Sequence, residues 1–274
     1  MSEEPSIFTK EHLNYDIPPT SIVKVYEYKD CPYVTATAMS NIHKPTNPWK
    51  KISKNELINF DTGEIRTYNP NNSMRIDNSD NIRRSQIKLV KYIRNNFSSS
   101  KKLKLHIVLT FRDTIYEYDI AMSRWKIFRD RMRHRFPRVE FIAIFEYYEK
   151  GKNKNGIHIH LLLLPNFTAI TRDDIQHYWT FGFVYMKEFN SETATYFVKS
   201  NTLHLYPKGK RLYTKSKGIV MPVPKEMTYQ SFINKMKEEK FECSLQKSID
   251  IVSKDNINEK VVNTITYLNY RKDV

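Results

Sequence analysis

Cysteine and glycine are both scarce in this 274-residue chain. There are two Cys and six Gly. Cys31 and Cys243 stand far apart in no metal-binding or redox spacing, which excludes a four-thiolate zinc site and a disulfide framework. That pattern suits free thiols in a reducing compartment. The glycines include no Gly-x-x-x-x-Gly-Lys-Ser/Thr loop, so no recognisable ATPase is encoded. No apolar run reaches the length of a membrane span or a signal peptide, and Met1–Glu4 is acidic and polar. The expectation is a protein of the cytoplasm with no membrane partner. Acidic residues are also in deficit: 45 Lys and Arg face 30 Asp and Glu, for a net charge of +15. So large an excess favours a polyanionic partner and gives sequence-independent, salt-sensitive affinity for nucleic acid.

What the chain does have is concentrated at Gly156-Ile157-His158-Ile159-His160-Leu161-Leu162-Leu163-Leu164-Pro165. In a strand alternate side chains share a face, so His158 and His160 point the same way, while Ile157, Ile159, Leu161 and Leu163 point to the other. Such a pair can converge on one cation, although two solvent-facing histidines at a strand edge would read the same. The preceding segment, Phe141-Ile142-Ala143-Ile144-Phe145-Glu146-Tyr147-Tyr148, is also strand-like. Lys150–Gly156, with two Gly and two Asn, reads as the hairpin loop between them. If Tyr148 lies opposite His158, Glu146 lies opposite His160 and on the same face. Two imidazoles and a carboxylate with positions left open suit a catalytic metal rather than a structural one. Glu146 as an ordinary solvent-facing residue is the alternative.

Gly182–Phe189 reads as another strand, followed by a helix capped by Asn190 or Ser191, with Glu192 in its first turn. Tyr196 and Lys199 fall three apart, on one helix face. A tyrosine hydroxyl, with an ordinary pKa near ~10, is a weak nucleophile until a neighbouring cation favours its anion. Lys199 can supply that charge, and a bound metal can polarise a scissile phosphate. Tyr178, Tyr185, Tyr206 and Tyr213 are rivals by position along the chain.

These elements, in this order, resemble the HUH endonucleases, and among them the rolling-circle replication initiators of plasmids and phages. Leu109-Thr110-Phe111 is similar to the first motif of that family. His158-Ile159-His160-Leu161-Leu162-Leu163 resembles the metal-binding second, and Tyr196-x-x-Lys199 the third. Softer likeness extends over roughly residues 55 to 222. It takes in Asp61-Thr62-Gly63-Glu64-Ile65, Trp179–Val184 and Gly209–Ile219. Only Tyr196 fits the third motif, so the chain looks like a single-tyrosine member.

The resemblance implies an enzyme that binds single-stranded or hairpin origin DNA. Tyr196 would attack the scissile phosphate, leaving a free 3′-hydroxyl and a 5′-phosphotyrosyl link that can be rejoined. His158, His160 and Glu146 would hold Mn²⁺ or Mg²⁺, and a host helicase and polymerase would be the partners. A single-tyrosine transposase or a relaxase shares the chemistry, although relaxases place the tyrosine before the histidines. A non-catalytic ferredoxin-like nucleic-acid-binding module is the reading of another class.

Three regions are expected. Residues 1–100 form an N-terminal extension packed on the core, with a strand near Tyr33–Ala38 and an amphipathic helix from Asp80 to Phe97. Arg83, Arg84, Lys88, Lys91 and Arg94 line that helix's polar face. Residues 101–202 read strand, helix, strand, strand, helix, strand, helix, with the long Arg-rich helix at Tyr118–Phe136 and a capping-box start at Thr171-x-x-Asp174. This predicts an α+β fold, a ferredoxin-like core whose central antiparallel sheet is covered by helices. Residues 203–274 form a basic C-terminal region. Its Tyr206–Lys217 segment interleaves tyrosines with cations, as single-strand binding needs. Lys152, Lys154, Lys210, Arg211, Lys215 and Lys217 are the expected nucleic-acid contacts. Beyond Pro224 the sequence carries little signal.

Overall fold

The computed structural model describes residues 6–12, 16–28, 31–39, 49–53, 56–59, 63–67, 79–98, 103–166, 169–189, 196–197, 205–207, 209–254 and 259–272. In chain order the elements are β1 (Ser6–His12), β2 (Ile22–Glu27), β3 (Tyr33–Met39), β4 (Trp49–Lys51), β5 (Glu56–Asn59), β6 (Ile65–Thr67), α1 (Ser79–Phe97), β7 (Leu105–Leu109), α2 (Tyr118–Arg135), β8 (Glu140–Tyr147), β9 (Ile157–Leu164), α3 (Arg172–Tyr178), β10 (Val184–Glu188), β11 (Tyr213–Lys215), β12 (Lys225–Thr228), α4 (Tyr229–Glu238), β13 (Glu242–Lys254) and β14 (Glu259–Arg271). The fold is α+β, with antiparallel sheets. No described helix is long and apolar enough to cross a membrane.

Two compact units divide the chain: residues 1–72 with 222–274, and residues 73–221. These boundaries differ from the three consecutive regions read from the sequence. The two ends of the chain share one six-stranded sheet, ordered β1-β13-β14-β3-β2-β12, in which Val34 pairs with Tyr270. Phe232 and Met236 of α4 bury against Val23, Val25, Val34, Ala36 and Leu268 on one side of it. Neither half of that sheet can bury its apolar face without the other. The expected boundary near residue 100 fails because α1 packs into the second unit, and the one near 202 fails because β11 pairs with β8.

In the second unit the sheet runs β10-β7-β9-β8-β11. The first four strands carry the order 4-1-3-2 of a ferredoxin-like βαββαβ core, and β11 extends its edge. Every residue of β9 is buried, because its two faces serve two different cores. On one face Ile157, Ile159, Leu161 and Leu163 pack with Trp125 and Phe128 of α2, Ile175 of α3 and Trp179. On the other, Leu162 and Leu164 pack under Leu89, Ile93 and Phe97 of α1. Each such fully buried side chain contributes about 1.5–3 kcal/mol.

Local signals hold where the chain decides for itself. Thr171 and Asp174 make the reciprocal capping box that starts α3. Gly151 and Asn155 take the positive φ that the β8–β9 loop requires. Gly182 answers a different need: a Cβ there would lie 2.0 Å from the Thr110 carbonyl oxygen, so only glycine lets the chain entering β10 approach the end of β7.

Removing α1's anchor tests its membership of this unit. Ile93→Ala is expected to lower unfolding stability by about 2–5 kcal/mol. The readout is urea denaturation followed through the buried Trp125 and Trp179. Ile127→Ala, at a 43% exposed position, should shift it by less than ~0.5 kcal/mol.

Candidate metal and nucleophile site

Glu146 lies directly opposite His158, and Ile144 opposite His160. The register thus differs by two residues from the pairing expected, in which Glu146 faced His160. A shift of two preserves the face, so the three side chains still converge. One carboxylate oxygen, Glu146 Oε2, lies 2.6 Å from His160 Nε2 and 3.3 Å from His158 Nε2. The two Nε2 atoms are 3.0 Å apart. Each of the three residues offers a ligand atom within 4.8 Å of the others'. Both histidines are buried and Glu146 is partly so.

Electrostatics at this cluster favour a cation. Burial depresses the His158 imidazole, and the neighbouring His160 adds to that against the pull of Glu146. Burial alone would raise the Glu146 carboxyl, but hydrogen bonds from His158 and His160 outweigh it and hold it at about 2. A neutral His158 imidazole beside an ionised carboxylate is the protonation state that ligates a divalent ion. His158 Nδ1 is buried without a hydrogen-bond partner. Two imidazoles and one carboxylate, with positions open, fit Mn²⁺ or Mg²⁺ in an incomplete first sphere and do not fit a closed structural zinc site.

One member of the cluster escaped the sequence reading. His106, on β7, places Nε2 2.9 Å from His160 Nδ1, and the two rings lie 5.1 Å apart. Burial first, and then His160, depress it to about 3, so it stays neutral. For His160 to turn a lone pair at Nε2 toward a metal, its proton must sit on Nδ1 and donate to His106 Nε2. A neutral acceptor is what that tautomer needs. The available signal was alternation: His106 belongs to a strand whose residues share faces with those of β9, but no spacing along the chain links it to His160, 54 positions away.

Tyr196 stands beside the cluster, its ring centroid 6.2 Å from that of His160 and perpendicular to it. It is 45% exposed. Phe197, buried, packs edge-on against both His106 and His160 and so fixes the backbone that carries Tyr196. The turn holding Tyr196 and Phe197 is all that is described of the expected helix; Lys199, Asn190, Ser191 and Glu192 lie outside the described residues.

The rival tyrosines separate by environment. Tyr206 is buried, with its hydroxyl donating to the Phe145 carbonyl, and Tyr178 packs against Phe136 in the other core. Tyr213 packs on Tyr92, and burial pushes its hydroxyl up to about 12. Tyr148 stacks on His158 at 4.1 Å, with its hydroxyl raised by burial and then by Glu146. Tyr185 is exposed on the histidine face.

The expected basic contacts fall into two groups. Lys152 and Lys154 in the β8–β9 loop, together with Arg211 and Lys217, are exposed. Lys210 is ion-paired with Asp119 at 2.6 Å. Lys215 donates to the Ile219 carbonyl at 2.7 Å and lies over the Tyr92 ring. The Tyr206–Lys217 segment is therefore no open stacking loop. Its tyrosines seal the β8 edge of the core, where β11 adds a strand.

Residues 104–202 match a family model of replication-associated proteins, the ORF2 type. The match takes in β7 through β10 and includes Glu146, His158, His160, Tyr196 and Lys199. No curated protein and no solved structure matches the chain.

Two measurements follow from this geometry. His106→Leu removes the acceptor behind His160 and should weaken Mn²⁺ binding about 10- to 100-fold, with His106→Gln recovering part of it. The EPR signal of free Mn²⁺ reads this directly, and unchanged affinity in His106→Leu would reject the role. Separately, His106 and His158 have folded pKa values below the ordinary 6.5. The unfolded chain therefore takes up protons first: stability is full above about pH 6.5 and is lost as pH falls through that window. With chelator present, the melting temperature should decline below that pH, and less steeply in His106→Phe.

Proposed function

We propose that this chain is a rolling-circle DNA replication initiator, a metal-dependent single-tyrosine HUH endonuclease that nicks and rejoins single-stranded DNA. The observation carrying this reading is the convergence of Glu146, His158 and His160 on one sheet face beside an exposed tyrosine, Tyr196. The match of residues 104–202 to a replication-associated family supports it.

The substrate is DNA at an origin, single-stranded or extruded as a hairpin. The Tyr196 oxygen attacks the scissile phosphorus, the bond to the 3′-oxygen breaks, and the 3′-hydroxyl is released while the 5′ side stays on the tyrosine. Attack by that hydroxyl in reverse reseals the strand, so rejoining needs no external energy. When bound, Mn²⁺ or Mg²⁺ polarises the scissile phosphate and offsets the charge developing there. Glu146, His158 and His160 hold the ion, His106 sets the tautomer of His160, and Phe197 fixes the turn bearing Tyr196. Lys199 is assigned the cation that favours the phenolate. A separate helicase and polymerase unwind and extend, in the cytoplasm of the cell that carries the replicon.

The competing class is a ferredoxin-like module that binds nucleic acid without cutting it. It needs no carboxylate among buried imidazoles and no exposed tyrosine against them. The test is a denaturing gel of protein incubated with labelled single-stranded origin DNA and Mn²⁺. A slow-migrating covalent adduct is expected, absent in Tyr196→Phe, in His158→Ala with His160→Ala, and with chelator. An adduct persisting in Tyr196→Phe would move the nucleophile to Tyr185. Tight binding with no adduct on any DNA of the encoding replicon would favour the non-cutting module.

A further inference from the structure

Two large aromatic rings sit in water on the histidine face of the sheet. Phe183 is 66% exposed and Tyr185 61%. Tyr185 lies in one cross-strand row with Val108 and His160, since it pairs with Val108 and Val108 pairs with His160. Phe183 continues the same edge by exchanging backbone hydrogen bonds with Thr110, at 3.0 and 3.2 Å. Scattered exposed aromatics are ordinary on protein surfaces. Two of them, spaced two residues apart on the edge strand beside the histidine–carboxylate cluster, are not scattered. Gly182 fixes their position by letting the backbone press against the Thr110 carbonyl.

We propose that Phe183 and Tyr185 form a stacking platform for bases of single-stranded DNA flanking the scissile phosphate. This rests on the nicking function proposed above and names where its substrate is held. Residues two apart on a strand are spaced about 7 Å along the backbone. That is roughly twice the ~3.4 Å step between stacked bases, so a base fits between the rings as well as on them. Charge agrees. Lys187 is exposed on the same strand and pairs opposite His106. The unit carrying the platform, residues 73–221, holds 28 Lys and Arg against 13 Asp and Glu, whereas the rest of the chain holds 17 against 17. An acidic or apolar protein partner would not need the rings at the mouth of a phosphate-cleaving site. A single strand does, because every base has a face to stack and its phosphates seek the surrounding cations.

The experiment is fluorescence anisotropy with a labelled, mixed-sequence single-stranded oligonucleotide, performed with chelator so that binding is read apart from cleavage. Phe183→Ser and Tyr185→Ser should each raise Kd about 5- to 100-fold, and Tyr185→Phe, which keeps the ring, should stay within ~2-fold of wild type. The slope of log Kd against log salt should not change, because no phosphate contact is removed. Melting temperatures should also hold, since both side chains are exposed. Equal affinity for the double Ser variant and wild type would overturn the platform. So would a Tyr185→Phe as weak as Tyr185→Ser, which would assign the effect to the hydroxyl. Wild-type protein that binds no single strand would overturn the platform and the nicking function together. Wild-type binding and adduct formation that both persist in the double variant would overturn the platform alone.

Discussion

The pairing of β8 with β9 is the constraint on which the rest depends. β9 is buried on both faces, so its alternation is fixed from two sides. Ile157, Ile159, Leu161 and Leu163 must meet the aromatic core under α2, and Leu162 and Leu164 must meet α1. A slip of one residue would drive His158 and His160 into the cluster of Trp125, Phe128 and Trp179. Buried there without partners, the imidazoles would carry the penalty of unsatisfied polar groups. The sheet therefore tolerates only even displacements. That rule holds Glu146 on the histidine face whichever of the two histidines it pairs with.

It also explains which parts of the site could be seen in advance. His158 and His160 are two apart in one strand, and Glu146 is one hairpin away, so alternation and a loop of Gly and Asn suffice to place them on one face. The observed register differs from the expected one by two residues, because loop length was counted without knowing where Tyr148 leaves the ladder. Strand order β7, β8, β9, β10, the long α2 and the capping box of α3 were legible for the same reason: each is decided by neighbours in sequence. His106 was not, since its partner is reached only across β7–β9 pairing. The same limit hid the sheet shared by the chain's two ends, where Val34 meets Tyr270. No local pattern announces that contact.

Tyr206 and Tyr213 illustrate the opposite error. Interleaved with cations, they have the composition of a single-strand-binding loop, yet a tyrosine is equally suited to closing a sheet edge with its ring inside and its hydroxyl on a carbonyl. Tyr206 does this on Phe145. Composition cannot separate the two uses, because both need an aromatic body beside polar groups. Exposure can. Phe183, Tyr185 and Tyr196 keep their rings in water, and all three lie on the side of the sheet that carries the histidines.

Charge divides as the aromatics do. The unit of residues 73–221 carries an excess equal to the whole net charge of +15, and the remainder is balanced. A uniform cationic coat for solubility would have spread over both units. Confinement to one raises the local potential where Glu146, His158 and His160 meet, and it concentrates a polyanion there before any specific contact forms. The same field disfavours a free cation at the surface. The buried carboxylate answers this: held ionised at about 2 by its histidines, Glu146 supplies a local negative charge that the surrounding lysines and arginines, screened by solvent, do not cancel. One unit can thus attract phosphate over long range and a metal ion at short range, because burial sets the distance at which each charge is felt.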